Sequence, residues 1–186
     1  MSVIGPDGKP RCSWATSAPE YIAYHDEEWG QEIRDDQGLY ERLTLEGFQS
    51  GLSWITILRK RENFRKAFAN FDPERVAAYG PDDFERLMAD PGIVRNRLKI
   101  NAAITNARAL LELEPGELTE LLWSFQPAKQ PAPKTEADVP ATTPESIAMS
   151  KALKKKGFVF IGPTTSYALM QATGIVNDHV TDCVAR

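Results

Sequence analysis

The side chains best equipped for chemistry are few and unevenly placed. The 186-residue chain holds two cysteines and two histidines, which fall as Cys12 and His25 near one end and His179 and Cys183 near the other. Two thiolates and two neutral imidazoles form a closed tetrahedral donor set that suits one structural Zn²⁺ and leaves no position for a reactive water. The step from 179 to 183 puts both side chains on one face of an expected helix, a two-point clip that the front pair completes. The front pair matches no standard finger spacing, so a second reading stays open: two small buried hydrophobes and two ordinary histidines. An iron–sulfur cluster asks for four cysteines, and a disulfide uses neither histidine.

A second candidate is Glu46. Asp35 opens a predicted helix in which Leu39, Leu43, Glu46 and Ser50 share one stripe while Leu45 and Phe48 occupy another face. A helix apolar on two faces is largely buried, and a buried carboxylate is costly without a partner or a task. Glu46 either bonds a nearby arginine or serves a ligand. The turn that follows presents Gly51, Leu52 and Trp54 beside it, and Tyr21, Tyr24 and Trp29 are expected on the helix that carries His25. Aromatics at this spacing pack a core equally well. With a buried acceptor among them, they would also suit a cationic purine, which gains stacking, cation–π attraction and a partner for its N–H groups.

The elements that must position these residues read as helices. Ser17 with Pro19, Asp35, Ser53, Asp72 with Pro73 and Thr143 with Pro144 are start signals, and Gly80, Gly116, Gly157 and Gly174 are stop signals. No segment shows the sustained alternation of a strand. Ile100, Ala103, Ile104, Ala107, Leu110 and Leu111 recur at helical spacing, which predicts a long amphipathic helix between Arg95 and Leu113. A shorter helix through Phe84, Leu87 and Met88 stops at Asp90-Pro91-Gly92. Amides of such a hairpin can hold a DNA phosphate, with Arg95, Arg97 and Lys99 adding charge, although any glycine-containing helical hairpin has this form. Residues 126–143 carry four prolines and no apolar period, and read as a surface connection.

A net charge of −4 is the wrong sign for a grip on nucleic acid by overall charge. Three local basic clusters, at 59–66, 95–99 and 151–156, could neutralise phosphates or simply be solvated helix faces. No stretch approaches the roughly 18 to 20 apolar residues of a membrane span, and the polar stretch from Met1 to Lys9 is unlike a signal peptide, so a cytoplasmic location is expected.

Several ordered blocks carry a resemblance. Arg11-Cys12-Ser13-Trp14, YIAYHDEEWG from Tyr21 to Gly30, LEGFQSGLSW from Leu45 to Trp54, KRENF from Lys60 to Phe64 and VNDHV from Val176 to Val180 closely resemble the 3-methyladenine DNA glycosylase I family, over a span from Arg11 to Cys183. The resemblance implies an all-α helix-hairpin-helix glycosylase fold. Residues 1–35 and 144–186 would form a zinc-stapled subdomain, 36–125 the helix-hairpin-helix part, and 126–143 the connection. It implies Cys12, His25, His179 and Cys183 as ligands of one zinc, Glu46 as the acceptor for a flipped base, and Tyr21, Tyr24, Trp54 and Trp14 around the ring. Gly51 and Leu52 would be a wedge in the duplex, and Gly92 and Arg95 phosphate contacts. The partner would be double-stranded DNA carrying alkylated bases and the product free 3-methyladenine; apart from the resemblance, a monomer is the simplest reading of the chain. The hairpin has one glycine where two are usual in helix-hairpin-helix proteins, which implies a modest phosphate grip. Two rivals remain: a bifunctional glycosylase using Lys99 as a Schiff base, and a zinc-stabilised DNA-binding module without catalysis.

Overall fold

A computed structural model of the chain describes residues 2–186; Met1 lies outside them. Among the described residues the chain forms nine α-helices: α1 Pro19–Glu27, α2 Asp36–Gln49, α3 Trp54–Ala67, α4 Pro73–Ala77, α5 Pro81–Ala89, α6 Arg97–Leu111, α7 Glu117–Trp123, α8 Pro144–Lys155 and α9 Pro163–Ala172. α2 is the central element. Asp35 caps it by accepting from the Gly38 amide at 2.7 Å, and Asp36 accepts from the Gly116 and Thr119 amides, which docks the start of α7. Leu39, Tyr40, Leu43, Leu45 and Phe48 are all buried, so α2 is surrounded, and it contacts α3, α6, α7 and α9. One core cluster runs from Leu39 through Phe64, Ile100 and Met149 to Val176, and it includes residues of both α8 and α9. Cys12, Val180 and Cys183 form a small separate cluster packed by Trp14 and Ala185.

The long helix expected between Arg95 and Leu113 is α6, and Asp35, Ser53, Asp72 and Thr143 stand at N-caps as expected. Other local expectations are corrected. Gly80 and Gly116 precede α5 and α7 and start helices instead of ending them. Trp29 lies just beyond α1, its amide reaching back to the Tyr24 carbonyl at 2.8 Å. Val3–Ile4 and Pro10–Arg11 form a two-residue antiparallel ladder around a turn at Gly8, too short to leave an alternating pattern in the sequence. His179 and Cys183 do not share a helix. α9 ends at Ala172, Gly174 turns the chain at φ +77°, and 177–186 runs in turns that bond back to the Pro10 carbonyl through the Val184 amide. A Cβ on Gly174 would stand 2.9 Å from the backbone of 30–32, so this close crossing requires glycine. Residues 126–143 are irregular but pinned: Gln130 bonds the Asn177 amide, and Thr181 bonds the Pro133 carbonyl.

Candidate active site and metal centre

Cys12, His25, His179 and Cys183 converge, with their ligand atoms all within 4.8 Å of one another and all four residues buried. His25 Nε2 lies 3.2 Å from His179 Nδ1; Cys183 Sγ lies 3.4 and 3.5 Å from these nitrogens, and Cys12 Sγ 3.9 Å from His179 Nδ1. A tetrahedral Zn²⁺ with nitrogen at about 2.0 Å and sulfur at about 2.3 Å sets ligand separations of about 3.3 to 3.8 Å, so the donor set fits. The outward ring nitrogens are also engaged. His25 Nδ1 meets Asp26 Oδ1 at 2.7 Å, and His179 Nε2 meets the Trp29 carbonyl at 2.9 Å, which aims the other nitrogen of each ring at the cluster. Arg11 in turn holds Asp26 through Nε and Nη2. Burial pushes the His179 imidazole down to about 4, against the Trp29 carbonyl, so it is neutral as a ligand must be. Burial also pushes the Cys12 thiol up to about 12, a state that a divalent cation would reverse by holding the thiolate.

Beside this cluster opens a cavity of about 270 Å³ lined by Trp14, Tyr21, Tyr24, Trp29, Glu46, Gln49, Trp54, Ala168 and Gln171. It is small for a ligand site and has room for one planar ring system. Glu46, on α2, is 6 % exposed and makes no side-chain hydrogen bond among the described residues. Burial raises its carboxyl to about 7, and the pull of Arg42 offsets this only in part. That arginine does not bond it: Arg42 donates through Nη2 to Glu28 at 2.9 Å while its buried Nη1 has no partner among the described residues, and Arg61 donates to the same Glu28 carboxylate at 2.6 Å. Although burial works against ionised Glu28, these two arginines hold it down at about 2. Tyr24 and Trp54 face each other across 5.5 Å at 40°, while Trp14 meets Tyr21 and Trp29 edge-on at 5.4 and 5.1 Å. Trp54 Nε1 is buried without a protein acceptor.

The five aromatic residues singled out in the sequence, Trp14, Tyr21, Tyr24, Trp29 and Trp54, therefore line the cavity with Glu46. The sequence reading missed Gln49, Ala168 and Gln171. Gln49 follows Glu46 by three and shares its helix face, which was legible; Ala168 and Gln171 come from α9, and nothing local marks them. The pocket and the metal cluster share walls, because Trp14 packs on His25 at 5.1 Å and Trp29 on His179 at 4.7 Å.

The turn after α2 carries Gly51 at φ +77° and leaves Leu52 38 % exposed. Gln49 Nε2 donates to the Leu52 carbonyl at 2.8 Å, tying this turn to the cavity wall. Lys99 is buried, and its ammonium donates to the Phe48 and Ser50 carbonyls at 2.8 and 2.5 Å, so it closes the end of α2 and offers no free amine to the cavity. The Gly92 amide donates to Asp90 at 2.7 Å, and a Cβ there would lie 3.1 Å from Asn63, so this glycine permits the hairpin to pack on α3. Arg95 is exposed. Of the basic clusters, the one at 59–66 is largely consumed by ion pairs: Arg59 with Glu20, Arg61 with Glu28, and Arg65 with Glu41.

A family model described as methyladenine glycosylase matches residues 14–186. The chain belongs to this family. It is 52 % identical over 178 residues to DNA-3-methyladenine glycosylase 1 of Escherichia coli (strain K12), covering 93 % of this chain and 95 % of that protein. Among solved structures, a crystal structure of 3-methyladenine DNA glycosylase I superposes with a TM-score of 0.90 at 48 % identity, covering 95 % of this chain and 99 % of the other. A variant of a 3-methyladenine DNA glycosylase I solved in complex with 3-methyladenine gives a TM-score of 0.88 at 36 % identity, over 94 % and 96 % of the two chains. No helix among the described residues is long and apolar enough to cross a membrane.

Proposed function

We infer that the chain is a monofunctional DNA-3-methyladenine glycosylase that hydrolyses the N-glycosidic bond of 3-methyladenine in alkylated double-stranded DNA and leaves an abasic site. The observation that carries this reading is the buried Glu46 carboxylate, which makes no side-chain hydrogen bond among the described residues, in the wall of an aromatic cavity of about 270 Å³. Methylation at N3 makes the purine cationic and weakens its bond to the sugar, so the protein has to extrude and hold the base more than force the cleavage. Tyr24 and Trp54 would flank the ring, Tyr21 and Trp14 would close the sides, and Glu46 would accept from its N–H groups. As the bond breaks, its electron pair goes to the ring, which becomes neutral. The sugar then takes oxocarbenium character, is captured by water, and the surplus proton leaves to solvent.

In the same reading Leu52 on the Gly51 turn enters the gap at the lesion, and Arg95 at the hairpin meets a phosphate, with Gly92 setting the hairpin's approach more than lending its amide. Cys12, His25, His179 and Cys183 hold one zinc, whose part is to staple the two ends of the chain and fix the walls that Trp14 and Trp29 give to the pocket. The ends, 1–35 and 144–186, form the metal-bearing part and 36–125 the DNA-reading part, with α8 and α9 continuous with the central core. The protein acts as a monomer in the cytoplasm.

The test is release of bases from DNA treated with a methylating agent, resolved by chromatography, with Glu46→Gln and Trp54→Ala alongside. Selective release of 3-methyladenine, slowed in both variants, is expected. A zinc-replete, folded protein that releases no base sinks the reading.

A further inference from the structure

The loop between α8 and α9 has no part in the pocket or the metal cluster, yet it is tightly held. Buried Asn106 of α6 grips Val159 at both backbone groups, accepting from its amide at 2.8 Å and donating to its carbonyl at 3.1 Å. Ser150 of α8 donates to the Ile161 carbonyl at 2.9 Å. Between these anchors Phe160 adopts φ +60°, the left-handed region that a Cβ disfavours, and its side chain remains 41 % exposed. Three fixed backbone groups and one strained residue serve here to hold an aromatic ring out of the core, an arrangement that suits recognition better than packing.

What lies beside the ring indicates its partner. A recess of about 420 Å³ is lined by Phe160, Lys154, Gly162 and Thr165 and, across it, by Ser50 of the turn that presents Leu52. α6 thus secures both exposed apolar tips, Leu52 through the Lys99 ammonium on Ser50 and Phe160 through Asn106. Lys151 and Lys154 are exposed and make no ion pair among the described residues, whereas Lys156 is paired with Glu117. Apolar surface continuous with the wedge turn and flanked by free ammonium groups is complementary to a kinked duplex, which bares sugar and base edges next to phosphates.

We propose that Phe160 and Lys154 form a second contact with duplex DNA beside Leu52, the ring packing on the edges of flanking nucleotides and the ammonium on a phosphate. The proposal rests on the glycosylase reading above and adds a binding element to it. The experiment measures binding of the full-length parent, Phe160→Gly, Phe160→Trp and Lys154→Ala to a duplex carrying a tetrahydrofuran abasic-site analogue, across a series of salt concentrations. Binding of free 3-methyladenine, release of 3-methyladenine from methylated DNA, and thermal stability are followed in parallel. Phe160→Gly should bind the duplex about fivefold or more weakly, keep parental binding of the free base, and hold or gain thermal stability because glycine accepts the left-handed φ. Phe160→Trp should bind like the parent, and Lys154→Ala should lower the salt slope by about 1. Parental duplex affinity in Phe160→Gly, or a parental slope in Lys154→Ala, overturns the proposal. A parent that binds the duplex but releases no 3-methyladenine overturns the excision reading alone.

Discussion

Replacing Glu46 with Gln should make the folded protein more stable at alkaline pH while weakening its hold on a base, and the size of the gain follows from the burial of the carboxyl. In the unfolded chain Glu46 ionises near its ordinary value of 4.5, whereas in the fold burial raises it to about 7. The sign follows. Below about pH 4.5 the group is protonated in both states and costs nothing; between 4.5 and 7 the unfolded chain releases a proton that the fold retains, so stability falls as pH rises. The loss grows by about 1.4 kcal/mol per pH unit and levels off near 3 kcal/mol above pH 7. Gln carries no charge but leaves a buried amide short of partners, a cost of about 1 kcal/mol at every pH. Urea unfolding of parent and variant at pH 5, 6, 7 and 8 should therefore show the difference in stability shift by about 2.5 kcal/mol toward the variant across the series, ending about 2 kcal/mol in its favour. Comparing the two proteins at each pH cancels titrations they share. A difference that stays flat from pH 5 to 8 would refute the reasoning, because it would mean that Glu46 titrates alike in the folded and unfolded chains.

The same carboxyl predicts a kinetic signature: kcat/KM for base release should rise with pH through an inflection near 7, where Glu46 becomes an acceptor, and Glu46→Gln should lack that inflection. Elemental analysis should find about one zinc per chain, and Cys183→Ala should lower stability by on the order of 4 kcal/mol. Because Trp14 and Trp29 wall both sites, the same variant should also bind free 3-methyladenine more weakly; intact base binding in metal-free protein would separate the two sites. Lys99→Met removes an ammonium from two carbonyls that close α2 and should cost about 2 to 3 kcal/mol in denaturant unfolding. Borohydride should trap no adduct between the parent and DNA; a trapped adduct would return Lys99 to a covalent role.

The helical class, the caps at Asp35, Ser53, Asp72 and Thr143, the extent of α6 and the residue types of both sites can be read along the chain. These are legible because helical period and capping act within a few residues. Glu46 could be singled out because a charge in line with Leu39 and Leu43 violates the pattern around it. The remaining features depend on contacts between segments far apart in the chain. His179 and Cys183 meet Cys12 and His25 through turns instead of along a helix, since the crossing of Gly174 over 30–32 directs the last residues toward the front of the chain. Ala168 and Gln171 enter the pocket because α9 packs on α2, a contact that neither segment encodes alone. The basic runs show the same division. Their composition is plain in the sequence, but which charges remain free is set by long-range pairs such as Arg61 with Glu28 and Lys156 with Glu117, and by the burial of Lys99 against the end of α2.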